Sequence, residues 1–201
     1  MSTPARTSPP TPPRIAPLPA PRPEETESIL AALMPPGMEP LKLFTTLAHH
    51  PEVLKLLRAM GNLVFKSGLL DASQREIVIQ RVCARKGAEY EWGVHAKLFG
   101  AKFNLAGERL HSLTFDDKPG ELFSTQEQVL IAAVDELCSA SAEIGDANFE
   151  RMRSAGFSDA QILEVAAVAG LYHVIAFLVR TSRVENETFA MTFDALRRAG
   201  G

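Results

Sequence analysis

From Glu24 onward the apolar residues recur at intervals of three and four, and no stretch alternates with period two, so the chain reads as helix nearly throughout. Glu25 to Leu33 predicts a short helix, stopped by Pro35-Pro36-Gly37. Pro51 opens a longer one whose apolar face is Val53, Leu54, Leu57, Met60, Val64 and Phe65. Asp71 or Ser73 caps the next, which runs to Lys86 and ends at Gly87. Further helices are expected from about Glu89 to Phe103 and around Glu108 to Leu113, before the turn Asp116-Asp117-Lys118-Pro119-Gly120. Ser124 with Glu127 forms a capping box ahead of Val129 to Leu137. Asp146 starts a helix that ends before Gly156, Ser158 starts a long apolar one, and Val184 to Arg198 predicts a tail helix. The sum is an all-α bundle of short-looped, antiparallel neighbours.

The apolar run from Ile162 to Val179 has the minimum length of a membrane span, but it contains Glu164 and His173. A central helix buried by the others is the expectation. Residues 1–23 differ from the rest. They hold most of the 14 prolines, so they are expected to form an extended arm before a single helical domain over 24–201. Arg6, Arg14 and Arg22 without acids have a transit-peptide flavour, yet the prolines forbid the amphipathic helix such a peptide uses. Ile15 and Leu18 are placed to pack the end of the arm onto the globular surface. The net charge of −3, from 21 basic and 24 acidic residues, argues against nucleic acid as a partner. Cys83 and Cys138 form neither a disulfide framework nor a zinc pattern, which points to a reducing, cytoplasmic setting.

Candidate chemistry concentrates between Arg75 and Phe103. Glu76, Ile79 and Cys83 share one helical face; Ala88, Trp92, His95 and Phe99 form a stripe on the next helix, with Glu91 four residues before His95. Folding the pair about Gly87 brings His95 level with Gln80, about one turn (~5.4 Å) from Glu76. Glu76, Glu91, His95 and Tyr90 can therefore converge, with Trp92 and Phe99 limiting water. Groups so placed are tuned toward general acid–base work. The bland alternatives stay open: Ser73-x-x-Glu76 is also a capping box, Glu91 and His95 also suit an exposed ion pair, and metal ligation by the trio lacks a standard spacing. His49 and His50 read as a helix entrance, and His173 as a satisfied core histidine beside Tyr172.

These residues resemble the carboxymuconolactone decarboxylase and alkylhydroperoxidase D superfamily. The likeness rests on Glu76, on Glu89-Tyr90-Glu91-Trp92-Gly93-Val94-His95, on Arg14-Ile15-Ala16-Pro17-Leu18, on Leu43-Phe44 through His50-Pro51, and on Gly170-Leu171-Tyr172. It implies an all-helical fold of two similar halves, assembled as trimers or hexamers, with a site near a subunit contact. His95 is then the proton-transfer residue and Glu76 its relay partner, with Glu91 and Tyr90 completing the catalytic set. Trp92, Phe99, Cys83 and Tyr172 are expected in the substrate pocket. The peroxidase branch carries a C-x-x-C pair where this chain has Ala88 and Glu91, so its two-thiol chemistry does not transfer. The function implied is cofactor-independent acid–base chemistry on a small organic acid or lactone, most concretely decarboxylation, with no metal and no membrane partner. The alternatives are a non-catalytic oligomer that binds a small ligand and an antioxidant protein that uses Cys83.

Overall fold

The computed structural model describes residues 12–66 and 68–199, which are helical with no strand among them. The helices in chain order are α1 (Glu24–Leu33), α2 (Lys42–Leu47), α3 (Pro51–Lys66), α4 (Ala72–Arg85), α5 (Glu89–His95), α6 (Gly107–Phe115), α7 (Thr125–Leu137), α8 (Asp146–Ser154), α9 (Asp159–Ser182) and α10 (Phe193–Ala199). Helix α2 carries no strong pattern of its own and was not legible in the sequence. Side-chain caps fix the starts of three helices. Asp71, rather than Ser73, caps α4 in a reciprocal box with Gln74, and the predicted boxes at Ser124 and Ser158 both form.

Helix α4 lies at the centre, packed by α9, α7, α5 and α6. It buries Gln74, Glu76, Gln80 and Arg81 beside Ile77, Val78, Ile79, Val82 and Cys83. Buried polar heads are tolerated when other groups satisfy them. Arg81 is fully buried and reaches Asp135 through two bonds of 2.7 Å, and its guanidinium also donates to the carbonyls of Leu113, Asp116 and Asp117. One side chain thereby fastens the loop between α6 and α7 to the middle of the bundle. Arg85, one turn on, adds a second contact to Asp135 at 2.8 Å.

The long apolar helix does not take the central place that its composition predicts. Helix α9 is long and apolar enough to span a bilayer, yet it packs on α4, α7, α5 and α8. Its inward face buries Ile162, Val165, Val168, Tyr172 and Ile175, while Leu163, Val174 and Phe177 remain exposed. The extended arm runs beside its end. Arg14 N–H donates to the Ser182 carbonyl at 2.8 Å, and Leu18 N–H to the Thr45 carbonyl at 2.9 Å. Leu18 packs against the core as expected, whereas Ile15 stays 44% exposed. Residues 1–11 of the expected arm lie outside the described residues.

Two predicted helices are altered by tertiary ties. The tail is helical only from Phe193, because Arg183 turns left-handed (φ 53°) and the next segment crosses the bundle instead. There the Glu187 carboxylate accepts from Lys42 N–H at 2.6 Å and Tyr90 Oη–H at 2.7 Å, and Met191 N–H donates to the Gly93 carbonyl at 3.2 Å. The helix expected from Glu89 to Phe103 is divided as well. After α5 a π turn, Ala96–Gly100, passes into a 3-10 turn, Ala101–Phe103, closed by left-handed Asn104. The crossing segment lies so close to α5 that a Cβ on Gly93 would run into the Met191 carbonyl. Gly93→Ala is therefore expected to lower stability by about 1–3 kcal/mol, seen as a lower urea midpoint at unchanged m-value.

Candidate functional site

The α4–α5 hairpin sets the geometry. Gly87 adopts φ 62°, its N–H bonds the Ala84 carbonyl at 3.1 Å, and Ala88 N–H bonds the Cys83 carbonyl at 2.8 Å. This paired C-terminal closure leaves almost no slack between the helices. With Asp71 and Gln74 already forming the α4 cap, the Glu76 carboxylate is left free to point inward. It meets His95 across the hairpin, with Glu76 Oε1 at 2.8 Å from His95 Nδ1.

His95 sits in a ring of polar partners. Its Nε2 lies 3.4 Å from Glu91 Oε1 and 3.1 Å from Tyr172 Oη. Gln80 Nε2 donates to Glu76 Oε1 at 3.3 Å, so the far carboxylate is itself held in place. All of these side chains are buried. Burial by itself would drive the imidazole pKa down. The Glu76 carboxylate, by charge and hydrogen bond, and then Glu91 outweigh that and raise it from the ordinary 6.5 to about 10. At neutral pH the ring is therefore an imidazolium: Nδ1–H donates to Glu76, and Nε2–H is shared between Glu91 and the Tyr172 oxygen. Because that oxygen accepts, its own hydrogen points away from the ring. Burial first, and then the Glu91 and Glu76 charges, push the Tyr172 phenol well above its ordinary pKa, so it stays protonated.

The cluster opens on a cavity of about 550 Å³, within the range of small-molecule sites. Glu91, His95 and Tyr172 line it, together with Phe44, Phe65 and Phe99 and a largely aliphatic wall. The His95 ring lies 5.2 Å from Phe99 and 6.4 Å from Phe65. Phe65, expected in the apolar core face of α3, is instead 51% exposed at this edge. Phe189, from the segment that crosses the bundle, closes another part of the wall.

Three expected site residues stand elsewhere. Tyr90 turns to the far side of α5, where its hydroxyl accepts from Leu43 N–H at 3.1 Å and donates to Glu187, so it holds the bundle together and does not reach His95. Trp92 is fully buried, with Nε1–H on Thr114 Oγ1 at 3.1 Å and its ring 4.7 Å from Phe193; it does not line the cavity. Cys83 is fully buried behind the cluster and also lies outside the lining. Burial, then the Glu91 and Glu76 charges, raise its thiol pKa well above the usual value, the opposite of what a nucleophilic cysteine requires. Cys138 is also raised, to about 11, chiefly by burial. Gln80 and the α1 and α3 walls were not identified from sequence, and only the helical register of Gln80 opposite His95 hinted at it. Among the described residues no group of three or more metal-binding side chains is arranged to hold an ion.

The architecture is that of the alkylhydroperoxidase-D-like helical fold. A peroxidase-related protein from Silicibacter sp. TM1040 superposes with a TM-score of 0.73 at 23% identity, covering 90% of this chain and 95% of that one. An uncharacterized peroxidase-related protein from Ralstonia eutropha JMP134, described as an alkylhydroperoxidase AhpD core, gives 0.74 at 19% identity over 87% and 93%. The debrominase Bmp8, in complex with 2,3,4-tribromopyrrole, gives 0.71 at 12% identity over 92% and 94%. No protein-family profile matches the chain, and no curated protein sequence does. The likeness at these identities is one of fold.

Three measurements follow from this geometry. In an imidazole-detected NMR titration, His95 should stay protonated through neutrality and titrate near pH 10, and Glu76→Gln should bring the midpoint down toward 6.5. The pKa is raised on folding, so the His95 contribution to stability is complete below about pH 6.5 and is lost as pH rises toward 10. The melting-temperature advantage of wild type over His95→Gln should shrink across that window. In thiol labelling of the native protein, Cys138 should react first, with Cys83 protected until unfolding.

Proposed function

We propose that this chain is an enzyme that transfers a proton at carbon on a small organic acid or lactone without using a thiol, and that cofactor-independent decarboxylation is its most concrete form. The observation that carries the reading is the place of His95, 2.8 Å from Glu76 and 3.4 Å from Glu91 on the wall of an apolar cavity. An imidazole kept charged by two carboxylates beside an apolar cavity is suited to protonate a carbanion or enolate as it forms.

In such a reaction the bond from the substrate carbon to its carboxylate breaks and carbon dioxide leaves. The electron pair passes into the substrate's own carbonyl as an enolate. The free hydrogen of Tyr172 Oη is available to bond the enolate oxygen, the role that Tyr90 is too distant to fill. His95 Nε2–H then delivers its proton to carbon while Glu76 holds Nδ1–H and fixes the ring, and water restores the proton lost. Glu91 borders the cavity itself and keeps the imidazole charged. The ring-sized ligand bound by Bmp8 within the same fold supports an occupant of similar dimensions here.

The sealed position of Cys83 argues against the antioxidant reading, in which a thiolate must reach peroxide. The test is a panel of carboxymuconolactone, related lactones and keto acids, followed by carbon dioxide release and by deuterium incorporation at carbon in heavy water. His95→Gln should reduce turnover by about 10³-fold or more and Glu76→Gln by about 10–10²-fold, with Cys83→Ser near wild type. Failure of every substrate to exchange or decarboxylate, with ligand binding intact in His95→Gln, would favour a non-catalytic binding protein. Peroxide consumption abolished by Cys83→Ser would overturn the assignment.

A further inference from the structure

The cavity has a second chemical character that proton transfer at His95 does not use. Arg58, Asn62 and Lys66 recur at four-residue spacing on α3, so they share one helical face, and all three line the cavity. Many of the chain's other cations are spent on carboxylates: Arg81 and Arg85 on Asp135, Arg109 on Glu127, Arg153 on Asp159. Arg58 and Lys66 enter no ion pair or hydrogen bond among the described residues. Arg75 of α4 lies over the Phe65 ring, 5.7 Å from its centroid, and adds positive charge at the same edge.

A solvated helix face would account for two exposed cations, but it does not account for Gly61. Glycine is the poorest helix former after proline, and Gly61 stands inside a helix of 16 residues. A Cβ there would meet nothing within 4 Å, and its φ is not left-handed, so neither packing nor a turn requires glycine. Gly61 also lines the cavity, between Arg58 and Phe65. The bare backbone keeps space open on the cavity wall between Arg58 and Phe65.

We propose that the α3 wall of Arg58, Gly61, Asn62 and Lys66 is an anion subsite that receives the ionised carboxylate of a ring-sized ligand, whose ring packs against Phe65 and Phe99. The inference rests on the cavity being the substrate site, as read above, and it fixes the substrate's orientation. A carboxylate next to Glu91 is repelled, whereas one along α3 is attracted, so the ionised group lies on α3 and the reacting carbon faces His95. For a decarboxylation the substrate then carries two carboxylates: the one on α3 is retained in the product, and the one held less favourably beside Glu91 leaves as neutral carbon dioxide.

Benzoate and its neutral isostere benzamide, titrated into the full-length protein and followed by NMR and calorimetry, test the subsite without any need for turnover. Benzoate should bind at least tenfold more tightly than benzamide, with a preference that weakens as salt is raised. The double variant Arg58→Gln/Lys66→Gln should remove the preference, and His95→Gln should retain it, which separates this subsite from the proton-transfer reading. Gly61→Ala and Gly61→Leu should both melt higher than wild type, while Gly61→Leu weakens benzoate at least tenfold. That opposition of stability and binding is not expected of a glycine with a purely structural role. Equal affinity for the two probes, no saturable benzoate binding, a preference that survives the double variant, or unimpaired binding in Gly61→Leu would each overturn the proposal.

Discussion

The fold depends on satisfying polar groups at its own centre. Helix α4 is surrounded on four sides yet carries Gln74, Glu76, Gln80 and Arg81 into the interior. An unpaired charge in such a place is strongly destabilising, so the helices around it must supply partners in register. Asp135 and the carbonyls of the α6–α7 loop answer Arg81, and His95 answers Glu76. The candidate site is thus the point where one of the obligatory pairings of the core borders a cavity. Removing Glu76 or His95 alone leaves the other buried without its counterion, and Gln at either position restores a hydrogen-bonding head but not the charge.

The same pairing decides which chemistry the site favours. Two carboxylates around one imidazole hold a proton on nitrogen, and they also discourage a thiolate nearby. Cys83 lies on the inward face of α4, but the charges that keep His95 protonated are those that suppress Cys83 ionisation. Both effects keep protons in place, one on the His95 ring and one on the Cys83 sulfur. The fold it shares with peroxidase-related proteins therefore does not by itself carry thiol chemistry to this chain.

Much of the arrangement was legible in the sequence because it is set by local signals. Caps at Asp71, Ser124 and Ser158 and the glycine stop at Gly87 mark helix ends without reference to the rest of the molecule, and the four-residue spacing of Glu91 and His95 is enough to bring them together. What was misread needs tertiary information. Tyr90 to His95 is buried on every side of α5, so a helical wheel identifies no preferred face, and Tyr90 and Trp92 prove to serve the side away from the cavity. Apolar content placed α9 at the centre, although the polar α4 takes that position because its head groups find partners. The tail reads as helix by composition but is drawn out by Glu187 and Met191, whose bonds go to residues about a hundred positions earlier.

That last tie has a consequence for how the molecule is made. The crossing segment supplies Glu187 to Lys42 and Tyr90, lays Met191 on Gly93, and contributes Phe189 to the cavity wall. During synthesis, helices α2 to α5 emerge while this segment is still unmade. Until it arrives, two inward-facing donors, Lys42 N–H and the Tyr90 hydroxyl, have no acceptor from it, and one side of the cavity stands open. Ribosome-bound chains that have completed α9 but not the crossing segment are therefore assembled around an unfinished chamber, which closes only once residues 184–191 have been made.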